Sequence, residues 1–270
     1  MSAEKTLAIV LRVVEFSETS YVVTLFTEDF GKIGALAKGA RRRKSPFESA
    51  LDLLSICRVV FLHKHSESLD LLTEAKLERR FRAGTRDLRA LYAGFYVLEL
   101  LDLLTDRHDP SPELFRAAVE SVTALDEGRA PRLCAIWWEC QALRLLGHFP
   151  ELEACVECGR SVHESATVVF GLLAGGVLCD ACKQGQRHLF RVGRRTINQL
   201  QLIAAASSPV ELEMSRLLSP DEENVDGAAG RADPWRTVIG GELRGLMNQY
   251  LAHLLGRKPR MYEHLSGVLT

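Results

Sequence analysis

Two Cys-x-x-Cys turns restrict this chain more than any other feature: Cys155-Val156-Glu157-Cys158 and, after twenty intervening residues, Cys179-Asp180-Ala181-Cys182. Such a turn lets two thiolates reach one ion from a tight knuckle, and two knuckles complete the tetrahedral, all-sulfur shell that Zn2+ takes at structural sites. The gap falls at the upper edge of the usual ribbon spacing. Gly159 after the first knuckle and Gly175-Gly176 before the second suit the positive φ that these loops need. The competing readings are a redox dithiol, which needs only one pair, and buried free cysteines. A catalytic ion is disfavoured because four cysteines leave no position for water. The zinc deaminase signature is also missing: His163-Glu164 lacks the H-x-E spacing, and Leu178 stands where proline precedes the second pair. One structural Zn2+ on Cys155, Cys158, Cys179 and Cys182 is the expectation.

The rest of the chain bounds what surrounds that staple. Its 270 residues allow two or three small domains, and 47% apolar residues can supply a sizeable core. The N-terminus has no charged and then apolar leader, and the most apolar stretch, near 98–104, is broken by Glu99 and Asp102. The expectation is a cytoplasmic protein with no membrane span. Seven cysteines without a leader argue against a disulfide framework. Cys57, Cys134 and Cys140 lie in apolar runs and read as buried thiols. A net charge of −1 decides nothing about anionic partners, so any footprint for them must be local.

Hydrophobic periodicity divides the chain. Residues 7–14, 21–27, 33–37, 53–63 and 69–75 read as strands, with Asp29-Phe30-Gly31-Lys32 a hairpin turn between the second and third. Five short strands in about eighty residues suit a small closed barrel of the OB type, with a β-sandwich as the rival. From Arg82 the period becomes helical, and Leu88, Leu91, Phe95, Leu98, Leu101 and Leu104 are spaced for one buried face. Ser111-Pro112 opens a second helix that Gly128 ends, and Pro131 opens a third running to Gly147. Helical spacing returns over 196–206 and 235–255. Residues 150–188 and 219–234 break it, the second reading as a surface loop. Trp137-Trp138 anchors core on one side, with one ring open to docking. The fold class is thus α+β and multidomain: an OB-type barrel over 1–80, then helices over 81–149 and 190–270 interrupted by a four-cysteine zinc module over 150–189.

Charge is concentrated in one place. Lys38, Arg41, Arg42, Arg43 and Lys44 put five cations in seven residues, with Lys32 upstream and no acid before Glu48. Such a run repels itself unless an anion answers it, and a phosphate backbone is the common answer. A loop serving only solubility is the alternative. Tyr21, Phe26 and Phe47 could stack bases, although aromatics in a small barrel are more often core. Arg187, Arg191, Arg194 and Arg195 could extend the basic track or simply be a solvated helix start. His63 and His65 flank a strand end without an obvious partner. No P-loop, dinucleotide fingerprint, nucleophile elbow or H-E-x-x-H motif is present, so no ATP-driven motor or standard hydrolase is expected, nor any enzyme.

Several of these residues together resemble the RecO family of bacterial recombination mediators. They are Gly31-Lys32-Ile33 leading into 37–42, Leu72-Thr73-Glu74-Ala75, the run Leu145-Leu146-Gly147-His148-Phe149-Pro150-Glu151-Leu152 before the first knuckle, Gly175-Gly176-Val177-Leu178-Cys179, and 250–257. The resemblance covers essentially the whole chain. It implies an OB fold, a helical domain interrupted by a zinc module, binding of single- and double-stranded DNA, and strand annealing. It further implies RecR and single-strand-binding protein as partners, loading of a recombinase onto coated strands, and a nucleoid-associated location. The chain departs from the pattern at 219–234 and at Pro259. On this reading Lys32, Lys38, Arg41, Arg42, Arg43 and Lys44 displace counterions from phosphates without reading sequence. The alternatives are an RNA-binding OB and zinc-ribbon protein of transcription or translation, and a zinc hydrolase or nuclease, which the closed all-cysteine shell disfavours.

Overall fold

In the computed structural model the residues described are 2–42, 45, 47, 50–63, 68–162, 165–214 and 240–268. Contacts divide the chain into two units, Met1–Gly128 and Arg129–Thr270. The first unit opens with five strands: β1 (Ser2–Ser17), β2 (Ser20–Thr27), β3 (Gly31–Ala37), β4 (Ile56–His63) and β5 (Asp70–Arg79). They close into a barrel in the order β1-β2-β3-β5-β4, with β4 paired back to β1. Only β3 and β5 run parallel; the other pairs are antiparallel. A closed five-stranded barrel of this connectivity is the OB fold.

Alternation in the sequence sets which side chains point inward. In β3, Ile33, Ala35 and Ala37 are buried while Lys32, Gly34 and Leu36 are not. The barrel core is Val10, Val23, Leu25, Ile33, Val59, Phe61 and Leu72, with Ala8, Ala35 and Ala75 filling its narrow parts. Gly31 is demanded twice over: its φ is 64°, and a Cβ there would lie 2.3 Å from the Asp109 carbonyl oxygen. The fourth strand starts later than its apolar run suggests, at Ile56. Residues 53–55 turn instead, because buried Leu54 takes φ 66° and Ser55 accepts from the Val10 amide at 3.1 Å.

Two helices complete this unit. α1 (Leu88–Leu104) is capped by Asp87, and α2 (Pro112–Asp126) by Ser111 at 3.4 Å from the Leu114 amide, with Pro112 in its first turn and Gly128 (φ 85°) beyond its end. The apolar face expected for α1 is buried in part: Leu98 and Leu101 are covered, Leu91, Phe95 and Leu104 are half-buried, and Leu88 is 53% exposed, while Ala90, Ala93, Gly94 and Val97 outside that face are also covered. The helix packs on more than one side, and its small residues admit close neighbours; a Cβ on Gly94 would meet Leu54 Cδ1 at 2.8 Å. Phe115 of α2 stacks on Phe26 of β2 at 6.4 Å.

The second unit is built around α3 (Pro131–Leu145), whose residues Leu133 to Leu143 are all buried. The unit also contains β6 (Thr167–Gly171), β7 (Gly176–Leu178), β8 (Leu189–Gly193), α4 (Arg194–Ala205), α5 (Pro209–Met214), α6 (Gly241–Leu254) and α7 (Met261–Val268), with α4 and α5 packed on α3. Neither tryptophan offers a docking ring: Trp137 and Trp138 are 3% and 0% exposed. Trp137 Nε1 donates to the Ala206 carbonyl at 2.9 Å and Gln141 Nε2 to Ala204 at 3.1 Å, so α3 satisfies carbonyls at the end of α4 that no helical amide can reach. The expected loop 219–234, and residues 235–239 of the last expected helix, lie outside the described residues. Among the described residues, no helix is long and apolar enough to cross a membrane.

A buried ion pair ties α3 to α6: Arg244 bonds the carboxylate of fully buried Glu139 and also Asn248 at 3.1 Å. Removing one member of such a pair leaves a charge without its partner in a poorly solvated site, at a typical cost of about 3–5 kcal/mol. Glu139→Ala is therefore expected to destabilise this unit by about that amount, and Glu139→Gln by less. Denaturant unfolding checks this, and a loss under about 1 kcal/mol for the alanine variant would refute it.

Candidate functional site

The four knuckle cysteines converge. Their sulfurs all lie within 4.8 Å of one another, and the Cys158 and Cys179 sulfurs are 3.8 Å apart. With Zn–S near 2.3 Å, a tetrahedral shell has sulfur–sulfur edges of about 3.8 Å. A disulfide would need about 2.05 Å. The group could hold a metal ion.

Local backbone contacts set this geometry. In the first knuckle the Cys155 amide donates to the Arg160 carbonyl and the Gly159 amide to the Cys155 carbonyl, both at 2.8 Å, with Gly159 at φ 70°. The Val156 amide donates to Val177 at 3.0 Å, which joins the first knuckle to β7 just before the second. The Val177 amide donates in turn to the Glu151 carbonyl at 2.9 Å. Gly175 has the expected positive φ of 74°, but Gly176 is needed for space: a Cβ there would sit 2.6 Å from the Glu151 carbonyl oxygen. The Glu151 carboxylate accepts from the amides of Glu153 and Ala154 at 2.8 and 3.2 Å, which hold its pKa below the usual range and fix the entry to the first turn. The sheet β7-β6-β8, which the sequence reading left as irregular chain, carries the second knuckle.

The thiols are polarised against one another. Burial raises Cys155, but backbone hydrogen bonds from Cys179, Cys158 and Glu157 outweigh it and bring the thiol to about 6. The Cys182 amide chiefly lowers Cys179. Cys182 itself is pushed up to about 12 by side-chain hydrogen bonds with Cys158 and Cys179. Four sulfurs converging in this way leave a place that a divalent cation can take. Cys57, Cys134 and Cys140 are buried, and desolvation drives Cys57 to about 12 and Cys140 well up.

The basic residues divide by environment. Lys38, Arg41 and Arg42 are exposed on the connection after β3, turned by Gly39 at φ 75°. Arg43 and Lys44 lie outside the described residues. Arg41 Nη1 meets Glu15 Oε2 at 3.0 Å, and its guanidinium stands 5.8 Å from the Tyr21 ring centroid. Lys32 is turned inward: its side chain is 13% exposed, and Nζ bonds the Asp102 carbonyl at 2.6 Å and carboxylate at 3.0 Å. Beside the connection, Val13, Tyr21, Ala40, Arg42, Leu51 and Leu53 help to line a cleft of about 560 Å³.

Of the aromatics considered for stacking, Phe26 and Phe47 are core at 0% and 3% exposure, and Tyr21 is half-buried. Phe16, 64% exposed beside the irregular Glu15–Ser17 step of β1, was not singled out from the sequence, where its only signal is its place just before the turn at residues 18–19 that joins β1 to β2. In the later arginine cluster, Arg187, Arg191 and Arg195 are exposed, whereas Arg194 bonds the carbonyls of Val162 and Ser165. His63, which has no partner visible in the sequence, lies with Nδ1 3.2 Å from buried Asp70; His65 is outside the described residues.

Comparison with known proteins gives a consistent picture. The family model "Recombination protein O N terminal" matches residues 1–81, and "Recombination protein O C terminal" matches 85–262. The chain is 43% identical over 272 residues to the DNA repair protein RecO of Rhodopirellula baltica, covering 97% of this chain and 99% of that protein. It is 32% identical to the protein of that name from Anaeromyxobacter dehalogenans strain 2CP-1 (96% and 94% covered) and 29% to that of Myxococcus xanthus (97% and 96%).

Proposed function

Because this chain belongs to the RecO family of DNA repair proteins, we propose that it is a non-enzymatic recombination mediator that holds DNA strands electrostatically. Exposed Lys38, Arg41 and Arg42 on one connection of an OB barrel support this most directly. With Arg43 and Lys44 they form a dense cationic run, and cations neutralise phosphates and release counterions whatever the base sequence. Lys32, committed to Asp102, acts instead as a tie between β3 and α1.

In this reading the chain binds single and double strands, anneals complementary ones, and helps load a recombinase onto strands coated by single-strand-binding protein, with RecR as a partner. Cys155, Cys158, Cys179 and Cys182 hold one structural Zn2+, supported by their spacing. The barrel (1–80) carries the strands, and the helical parts (81–149 and 190–270) flanking the metal module (150–189) serve the partners. The test is annealing of complementary oligonucleotides, bare and coated with single-strand-binding protein. The chain is expected to accelerate both at sub-stoichiometric amounts without ATP. No acceleration of either, at low salt and with the metal retained, would overturn the reading.

A further inference from the structure

Phosphate contacts alone do not explain the cleft beside the basic connection. We propose that it is a nucleobase pocket with Tyr21 as its stacking face, an inference that rests on the strand-binding reading above. The recess of about 560 Å³ falls within the roughly 300–1,000 Å³ of small-molecule pockets. Its lining combines apolar Val13, Ala40, Leu51 and Leu53 with the cationic residue Arg42 and the aromatic residue Tyr21. A flat apolar ring joined to an anionic tail matches that combination, and an unstacked nucleotide is such a group.

The two acids at the cleft do not spoil the match. Glu15 pairs with Arg41 at 3.0 Å, and Asp52 with Arg80 at 3.7 Å. Among the described residues Arg42 makes no ion pair. Tyr21 is placed in advance: its backbone pairs with Glu15 on one side and Ala37 on the other, and its side chain packs against the barrel core. Arg41 over the ring adds a cation next to the stacking surface. A ring already held in place loses little freedom when a base stacks on it.

The test uses the full chain and two oligonucleotides of equal length and charge, one with bases and one fully abasic, followed by fluorescence anisotropy at fixed salt. The wild type is expected to bind the base-bearing strand about tenfold more tightly, as one stacked base allows. Tyr21→Leu should abolish that preference and leave abasic binding unchanged, whereas Tyr21→Phe should retain it. Phe16→Ala removes an exposed aromatic that does not line the cleft and should change nothing. Photocrosslinking of a 5-iodouracil strand to the unmodified protein gives a reading independent of any variant's folding, with Tyr21 the expected site. Equal wild-type affinities, a preference that survives Tyr21→Leu or is lost in Phe16→Ala, or crosslinks mapping away from Tyr21 would each overturn the pocket while leaving strand binding intact. Binding to neither strand would remove the strand-binding reading, and the pocket with it.

Discussion

Replacing Cys155 and Cys158 together with serine is expected to abolish metal retention and unfold the module around β6, β7 and β8, while the barrel keeps its structure. The size of the effect follows from linkage. Structural zinc binds cysteine knuckles with roughly 10–16 kcal/mol at neutral pH, and because the site does not exist in the unfolded chain, that free energy contributes to folding. The module has little else to replace it: β7 has three residues and β6 and β8 five each. The first unit contains none of the four cysteines. Elemental analysis should give one zinc per wild-type chain and none in the double variant. Hydrogen exchange should show protection lost over 150–193 and kept over 2–79. Wild-type protein purified without chelator and found free of zinc would refute the assignment.

Changing Arg41, Arg42, Arg43 and Lys44 to alanine is expected to flatten the salt dependence of single-strand binding. Each lost phosphate contact removes about 0.7 from the slope of log affinity against log salt, or about 3 for all four. If the affinities converge near 1 M salt, the variant binds roughly 600-fold more weakly at 0.1 M. The loss should be the same for every base sequence, because phosphate contacts position a strand without specifying it. The structure refines the distribution: Arg41 must share its charge with Glu15, so Arg42 alone should cost more than Arg41 alone. Lys32→Ala should leave the slope untouched, since that ammonium already faces Asp102. Stability should barely change in the four-alanine variant, since Arg41 and Arg42 are exposed and substitutions away from a core rarely alter it. A salt titration yielding equal slopes and affinities for wild type and variant would reduce the run to a solubilising surface.

Where the physics is local, the sequence was enough. Short apolar runs on either side of the Asp29–Lys32 turn placed β2 and β3, and in β3 the pleat turns Ile33, Ala35 and Ala37 to the barrel interior, because successive side chains of a strand face opposite ways. Ser111-Pro112 and Pro131 located the starts of α2 and α3, because a missing amide is tolerated only in a helix's first turn. The two Cys-x-x-Cys spacings implied a meeting of four sulfurs, since a knuckle is a short-range shape. The strands β6, β7 and β8 escaped notice because each is short and finds its strand partners only among the others, across the intervening chain.

Partnership between distant residues was not legible, and it decides what each charge and ring can do. Nothing near Lys32 in the chain marks Asp102 as its partner, and nothing near Glu139 marks Arg244. The same type of side chain is therefore exposed at Arg42, shared at Arg41 and committed to carbonyls at Arg194. Trp137-Trp138 read from the sequence as a core anchor with one ring open to docking, but the tertiary structure buries both. Periodicity and motif spacing determined the fold class and the meeting of the four cysteines because those depend on neighbours along the chain. Availability for binding was decided only by the tertiary structure, because burial and ion pairing depend on neighbours in space.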